Sequence, residues 1–69
     1  MEIENNLKVW RAKANITQEQ LAKEVGLSRQ TINSIERGKF IPTVLSALKI
    51  AMFFKTNIEE IFYLKGGEK

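Results

Sequence analysis

The sequence of 69 residues contains neither cysteine nor histidine. The first absence excludes a disulfide framework and a thiolate zinc site, and the second removes imidazole as a metal ligand or general base. No metal and no cofactor are expected, and helices must supply the whole core. Long hydrophobic runs are missing too. The longest, Ile50 to Phe54, has five residues, far below the ~20 that a membrane-spanning helix requires. Met1 to Trp10 lacks the basic, then apolar, order of a secretory signal. A cytoplasmic protein with no membrane partner is the expectation. There is no glycine-rich phosphate loop, and the carboxylates read as helix caps and ion-pair partners, so no catalytic set exists and an enzyme is not expected.

What is present is ordinary for a globular chain: 43% apolar and 28% charged residues, which argues against disorder. A chain this short forms one small domain that buries only about 60% of its unfolded surface. Residues 1–69 are read as that single domain, with a core from about 5 to 63 and a frayed tail from 64 onward. Eleven Lys and Arg against eight acidic residues give a net charge of +3 and a pI near 9.5. That balance fits a nucleic-acid partner without demanding one, so the positions of the charges have to decide.

The most informative stretch is Thr17 to Gly38, TQEQLAKEVGLSRQTINSIERG. Thr17 and Gln20 have the spacing of a capping box, which starts a helix at Gln18. Leu21, Ala22 and Val25 form one apolar stripe on it. Gly26 ends the helix in a left-handed conformation, Leu27 plugs the corner and Ser28 caps the next helix. Two helices joined by so short a link must cross steeply, as in a helix-turn-helix. On the second of them Ile32 and Ile35 point one way, while Arg29, Gln30, Asn33, Ser34 and Arg37 cluster on the other side.

Either side of this pair, local signals give three more helices. Asn5 caps a first helix to about Ala14, with Leu7, Trp10 and Ala14 inward. Asn15 and Ile16 make the corner that follows. After Gly38 the chain crosses Lys39, Phe40 and Ile41 to Pro42, and Thr43 caps a fourth helix ending near Lys55. Val44, Ala47, Leu48, Ile50, Ala51 and Phe54 are read as its inward face. Asn57 with Glu60 opens a short fifth helix from Ile58 to about Tyr63, burying Ile58, Ile61 and Phe62. Gly66 and Gly67 begin the tail. No run suggests a strand, so the expected fold is all-α, a compact bundle of five helices.

These elements in this order resemble the phage repressor and Cro class of helix-turn-helix proteins, the family of xenobiotic-response-element regulators. The likeness covers nearly the whole chain. It rests on Arg11, Thr17-Gln18, Leu21-Ala22, Gly26-Leu27-Ser28, Ile32, Ile35-Glu36-Arg37-Gly38-Lys39, Pro42 and Ile58 to Phe62. It implies a lambda-repressor-like domain that binds double-stranded operator DNA, usually as a dimer, with the third helix in the major groove.

The positions that would read bases are Ser28, Arg29, Gln30, Asn33 and Ser34. Arg29 can give guanine two parallel donors, and Gln30 or Asn33 can pair with adenine. A solvated helix face is ordinarily rich in Glu and Lys, whereas this one offers amides and a hydroxyl. Gln18, at the first turn of the second helix together with Thr17, is where the family contacts the DNA backbone. Arg37, Lys39 and Thr43 are the further candidate phosphate anchors. The resemblance also implies that Glu36 pairs with Arg11, a structural clamp, which takes Glu36 out of the reading set. Trp10 belongs to the core.

On the fourth helix Leu45, Met52 and Phe53 fall outside the inward arc, and at Leu45 and Met52 the family more often carries polar residues. An exposed apolar stripe usually marks an interface, so a homodimer through Leu45, Met52, Phe53 and Tyr63 is expected, with Phe40 and Ile41 near it. The function expected is a sequence-specific transcriptional regulator, a repressor on a palindromic operator. The alternative is a protein-interaction module, such as an antitoxin or anti-repressor partner, that uses the same stripe. A chain of this size leaves no room for a separate ligand domain, so no small-molecule ligand is expected.

Overall fold

The computed structural model describes residues 2–65. The chain runs β1 (Glu2–Asn5), α1 (Leu7–Ala14), α2 (Gln18–Val25), α3 (Arg29–Glu36), α4 (Val44–Phe53), a short 3-10 helix (Ile58–Glu60) and β2 (Phe62–Lys65). The expected start of α2 is found: Thr17 Oγ1 accepts from Gln20 N at 3.0 Å and Gln20 Oε1 accepts from Thr17 N at 2.7 Å, a complete capping box. Ser28 and Thr43 cap α3 and α4 through their hydroxyls as the sequence indicates.

Each α-helix ends on a residue in the left-handed region: Asn15, Gly26, Gly38 and Lys55. After α3, Gly38 N donates to Ile35 O and Lys39 N to Ser34 O, which satisfies carbonyls that the helix itself leaves free. Lys55 N and Thr56 N do the same for Met52 O and Ala51 O after α4, but there a side chain occupies the position that favours glycine.

The core is Leu7 from α1, Leu21, Ala22 and Val25 from α2, Ile32 and Ile35 from α3, Ile50 and Ala51 from α4, and Ile61 before β2. Ile32 and Ile35 are buried to within 1%, and each such side chain contributes about 1.5–3 kcal/mol by leaving water. Trp10, Ile16, Leu27, Phe53, Phe54, Ile58 and Phe62 pack around this set. Trp10 lies tilted on Phe54 at 5.8 Å between centroids and donates from Nε1 to Glu60 O, which places it in the body of the domain.

Four expectations are corrected. The fold is not all-α, and the fifth helix is not a helix of normal length. Only Ile58–Glu60 coils, as a 3-10 turn without a side-chain cap from Asn57, and Phe62–Lys65 then pairs antiparallel with Glu2–Asn5. Lys65 lies opposite Glu2, and its ammonium reaches Glu4 on the diagonal at 3.6 Å. Second, Leu64 and Lys65 belong to this strand pair, not to a frayed tail; the expectation for 66–69 lies outside the described residues. Third, Asn5 is a strand residue: its Oδ1 does accept from Leu7 N, but Asn6 occupies the cap position and makes no cap bond of its own. Fourth, Ala14, Val44 and Leu48 face solvent, not the core. On α4 only Ala47, Ile50 and Ala51 are buried.

Candidate nucleic-acid interface

The turn from Gly26 to Ser28 sets α3 across α2, and Ile32 and Ile35 fasten its inner side. The opposite side carries Arg29 and Gln30, both exposed, with Asn33 and Ser34 half-buried. Glu36 is held away from that side. Arg11 Nε donates to Glu36 Oε2 at 2.7 Å and Arg11 Nη2 to Oε1 at 3.2 Å, a two-pronged pair in which the Glu36 side chain is only 5% exposed. The remaining Arg11 arm, Nη1, donates to Ile16 O at 3.0 Å. The hydrogen bond to Glu36 raises the Arg11 pKa above the ordinary guanidinium value despite burial, which pulls the other way. The pair that the family resemblance implied is therefore present, and it neutralises the one carboxylate on α3.

Gln18 joins the same network. Its Nε2 donates to Glu36 Oε1 at 3.0 Å and to Asn33 Oδ1 at 3.1 Å. Both hydrogens of the side-chain amide are thus used within the protein, and what remains free at the start of α2 is backbone. Thr17 N and Gln20 N are consumed by the capping box, which leaves the N–H groups of Gln18 and Glu19 as open donors at the positive end of the helix. An open depression there is lined by Thr17, Gln18 and Glu19 from α2, by Arg11, and by Arg29 from the start of α3. Arg29, Arg37 and Lys39 are exposed and have no acidic partner among the described residues.

Other expected site residues are more constrained. Ser28 Oγ accepts from Thr31 N and lies 2.8 Å from the Thr31 hydroxyl, so capping occupies it. Thr43 Oγ1 accepts from Ser46 N at the start of α4. Phe53 packs edge-on against Phe54 at 5.0 Å and joins the periphery of the core. The exposed apolar stripe on α4 is instead Leu45 and Met52 together with Val44 and Leu48, and Met52 is 76% exposed. At 100° per residue these four share one continuous arc. Tyr63 lies apart from it, on β2, while Phe40 and Ile41 precede α4 and are exposed.

Sequence reasoning did not find the role of Asn5. Its Nδ2 donates to Ile35 O at 2.8 Å, tying the first strand to the last turn of α3. No local pattern signals this contact, because the partners are separated by 30 positions. Among the described residues there is no cluster of acidic side chains that could hold a metal, and no helix is long and apolar enough to cross a membrane.

Comparison with known proteins agrees with this geometry. A helix-turn-helix family model matches residues 7–61, from the first core leucine to the last core isoleucine. An uncharacterized helix-turn-helix transcriptional regulator of Methanocaldococcus jannaschii, MJ0272, is 52% identical over 66 residues, covering 96% of this chain and all of that one. The crystal structure of C.AhdI, a restriction-modification controller protein from Aeromonas hydrophila, is 30% identical and superposes with a TM-score of 0.73 over 78% of this chain and 82% of its own. The solution structure of the SOS-response repressor LexA from Eubacterium rectale is 31% identical, with a TM-score of 0.79, over 93% of this chain and 68% of that chain. The chain belongs to the Cro/C1-type helix-turn-helix family of transcriptional regulators.

Proposed function

We propose that the protein is a sequence-specific DNA-binding repressor that reads a palindromic operator through the major groove as a homodimer. The observation that carries this reading is the outer side of α3. It presents Arg29, Gln30, Asn33 and Ser34 with no free carboxylate, because Arg11 holds Glu36 to the body of the domain. Arg29 and Gln30 reach furthest and are the principal readers, with Asn33 and Ser34 behind them and Ser28 fixing the first turn.

Phosphate contacts come from the free N–H groups of Gln18 and Glu19 beside Thr17 and, past the other end of α3, from Arg37 and Lys39, with Thr43 adding a hydroxyl. A second copy supplies the spacing. The stripe of Val44, Leu45, Leu48 and Met52 leaves large apolar side chains in water, and a two-fold pairing removes them and sets two α3 helices about 34 Å apart, one turn of DNA. Repression requires only occupancy of the operator, which these parts provide.

The test is fluorescence anisotropy of the protein on random-sequence duplex across a salt series. The expected result is binding that weakens steeply with salt, with Arg37→Ala and Lys39→Ala each lowering the log–log slope by about 1. No binding to any duplex at low salt overturns the reading and favours a module that docks another protein through α4.

A further inference from the structure

We infer that Gln18 is a positioning residue for base recognition: its side-chain amide fixes which end of the Asn33 amide faces the DNA. The inference rests on the base-reading role of α3 proposed above. Arg11 donates to both Glu36 oxygens, and a carboxylate can only accept. The group that Gln18 turns toward Glu36 must therefore be its amino end, and that same Nε2 reaches Asn33. A donor approaching Asn33 requires the carbonyl oxygen of Asn33 on that side. The Asn33 amino group is then directed away from α2, with no partner among the described residues and open to solvent.

The chain of consequence runs from a charge, Arg11, through Glu36 and Gln18, to a choice of donor over acceptor on the reading face. A lone outward donor suits guanine O6 or N7, adenine N7 or thymine O4, and finds nothing to bind on cytosine, whose major-groove edge offers only an amino donor. The operator position facing Asn33 should therefore tolerate adenine, guanine or thymine and reject cytosine. Without Gln18 the Asn33 amide is free to turn over, and cytosine becomes acceptable.

The experiment is selection from a random duplex pool with the wild-type protein and with Asn33→Ala, Gln18→Met and Gln18→Glu. Asn33→Ala identifies the position that Asn33 faces as the one whose preference flattens. Wild type should disfavour cytosine there about tenfold. Gln18→Met, which keeps the side-chain volume, should reduce that discrimination to less than about threefold and leave the other positions unchanged. Gln18→Glu presents an acceptor to Asn33, turns its amide, and should favour cytosine over guanine. Melting curves confirm that each variant is folded. If Gln18→Glu does not fold, Gln18→Met decides alone. In the free protein, the Gln18 side-chain amide protons should exchange with water more slowly than those of Gln30, and equal rates overturn the inference without any DNA. A Gln18→Met motif identical to that of wild type, with affinity lowered uniformly, also overturns it. Failure of the wild type to select any motif is a different result, and removes the base-reading proposal itself.

Discussion

Asn5 Nδ2 donates to Ile35 O at 2.8 Å, so the first strand is fastened to the last turn of α3 by a side chain whose oxygen also receives Leu7 N. One residue thus links the strand pair, the start of α1 and the end of α3. Removing it leaves Leu7 N and part of the Ile35 carbonyl unsatisfied. Asn5→Ala should cost about 1–3 kcal/mol in urea unfolding. That is a large share of the roughly 3–10 kcal/mol expected of a domain this size. Asn5→Asp keeps the acceptor for Leu7 N but loses the donor to Ile35 and sets two oxygens face to face, so it should also destabilise. Full stability of Asn5→Asp would show that the contact with α3 contributes nothing.

Arg11 and Glu36 form the other cross-link to α3, and theirs is largely shielded from water, with side chains 17% and 5% exposed. Arg11→Met strands the Glu36 carboxylate and should cost about 3–5 kcal/mol, whereas Arg11→Met combined with Glu36→Leu should recover most of that loss. The Arg11 pKa is raised in the folded state. Its contribution is therefore fully present below the ordinary guanidinium value and is lost only in strong alkali. The penalty of Arg11→Met, measured by denaturant titration, should accordingly be the same at about pH 6 and about pH 9.

Lys55 holds φ at +58° after α4, where its amide closes the helix end. Glycine takes that conformation without the steric cost borne by a side chain. Lys55→Gly should raise stability by about 0.5–1 kcal/mol, seen as a higher melting midpoint. A lower midpoint would mean that the backbone there is not under strain.

The α4 stripe can be tested without disturbing the core, because Leu48 and Met52 face solvent in the single chain. Leu48→Glu and Met52→Glu should leave the melting of dilute protein nearly unchanged but shift the mass seen by light scattering from dimer to monomer. A wild-type protein that stays monomeric at high micromolar concentration contradicts the dimer.

The helices and their turns were legible because their signals are local. Thr17 and Gln20 lie within one helical turn, and the sequence from Gly26 to Ser28 spells out both a stop and a start. The strand pair was not legible. Its strands are four residues each and come from opposite ends of the described chain, so no turn joins them and no alternation is long enough to register. Val44 and Leu48 read as inward because they are apolar, yet the face of α4 turned to the core is the narrow one of Ala47, Ile50 and Ala51, and Val44 and Leu48 fall outside it. At the candidate site, the residue types on α3 and the Arg11–Glu36 pair were accessible through the family pattern. The direction of the Gln18 amide was not, because spacing alone does not distinguish an amide's nitrogen from its oxygen.

The central claim, that the outer face of α3 reads bases while its flanks hold phosphates, is tested most directly by selecting bound duplexes with wild type, Gln30→Ala and Arg37→Ala in parallel. The account predicts a palindromic wild-type motif, loss of preference at one position per half-site for Gln30→Ala, and an unchanged motif bound more weakly for Arg37→Ala. An unchanged motif for Gln30→Ala together with an altered one for Arg37→Ala would contradict it.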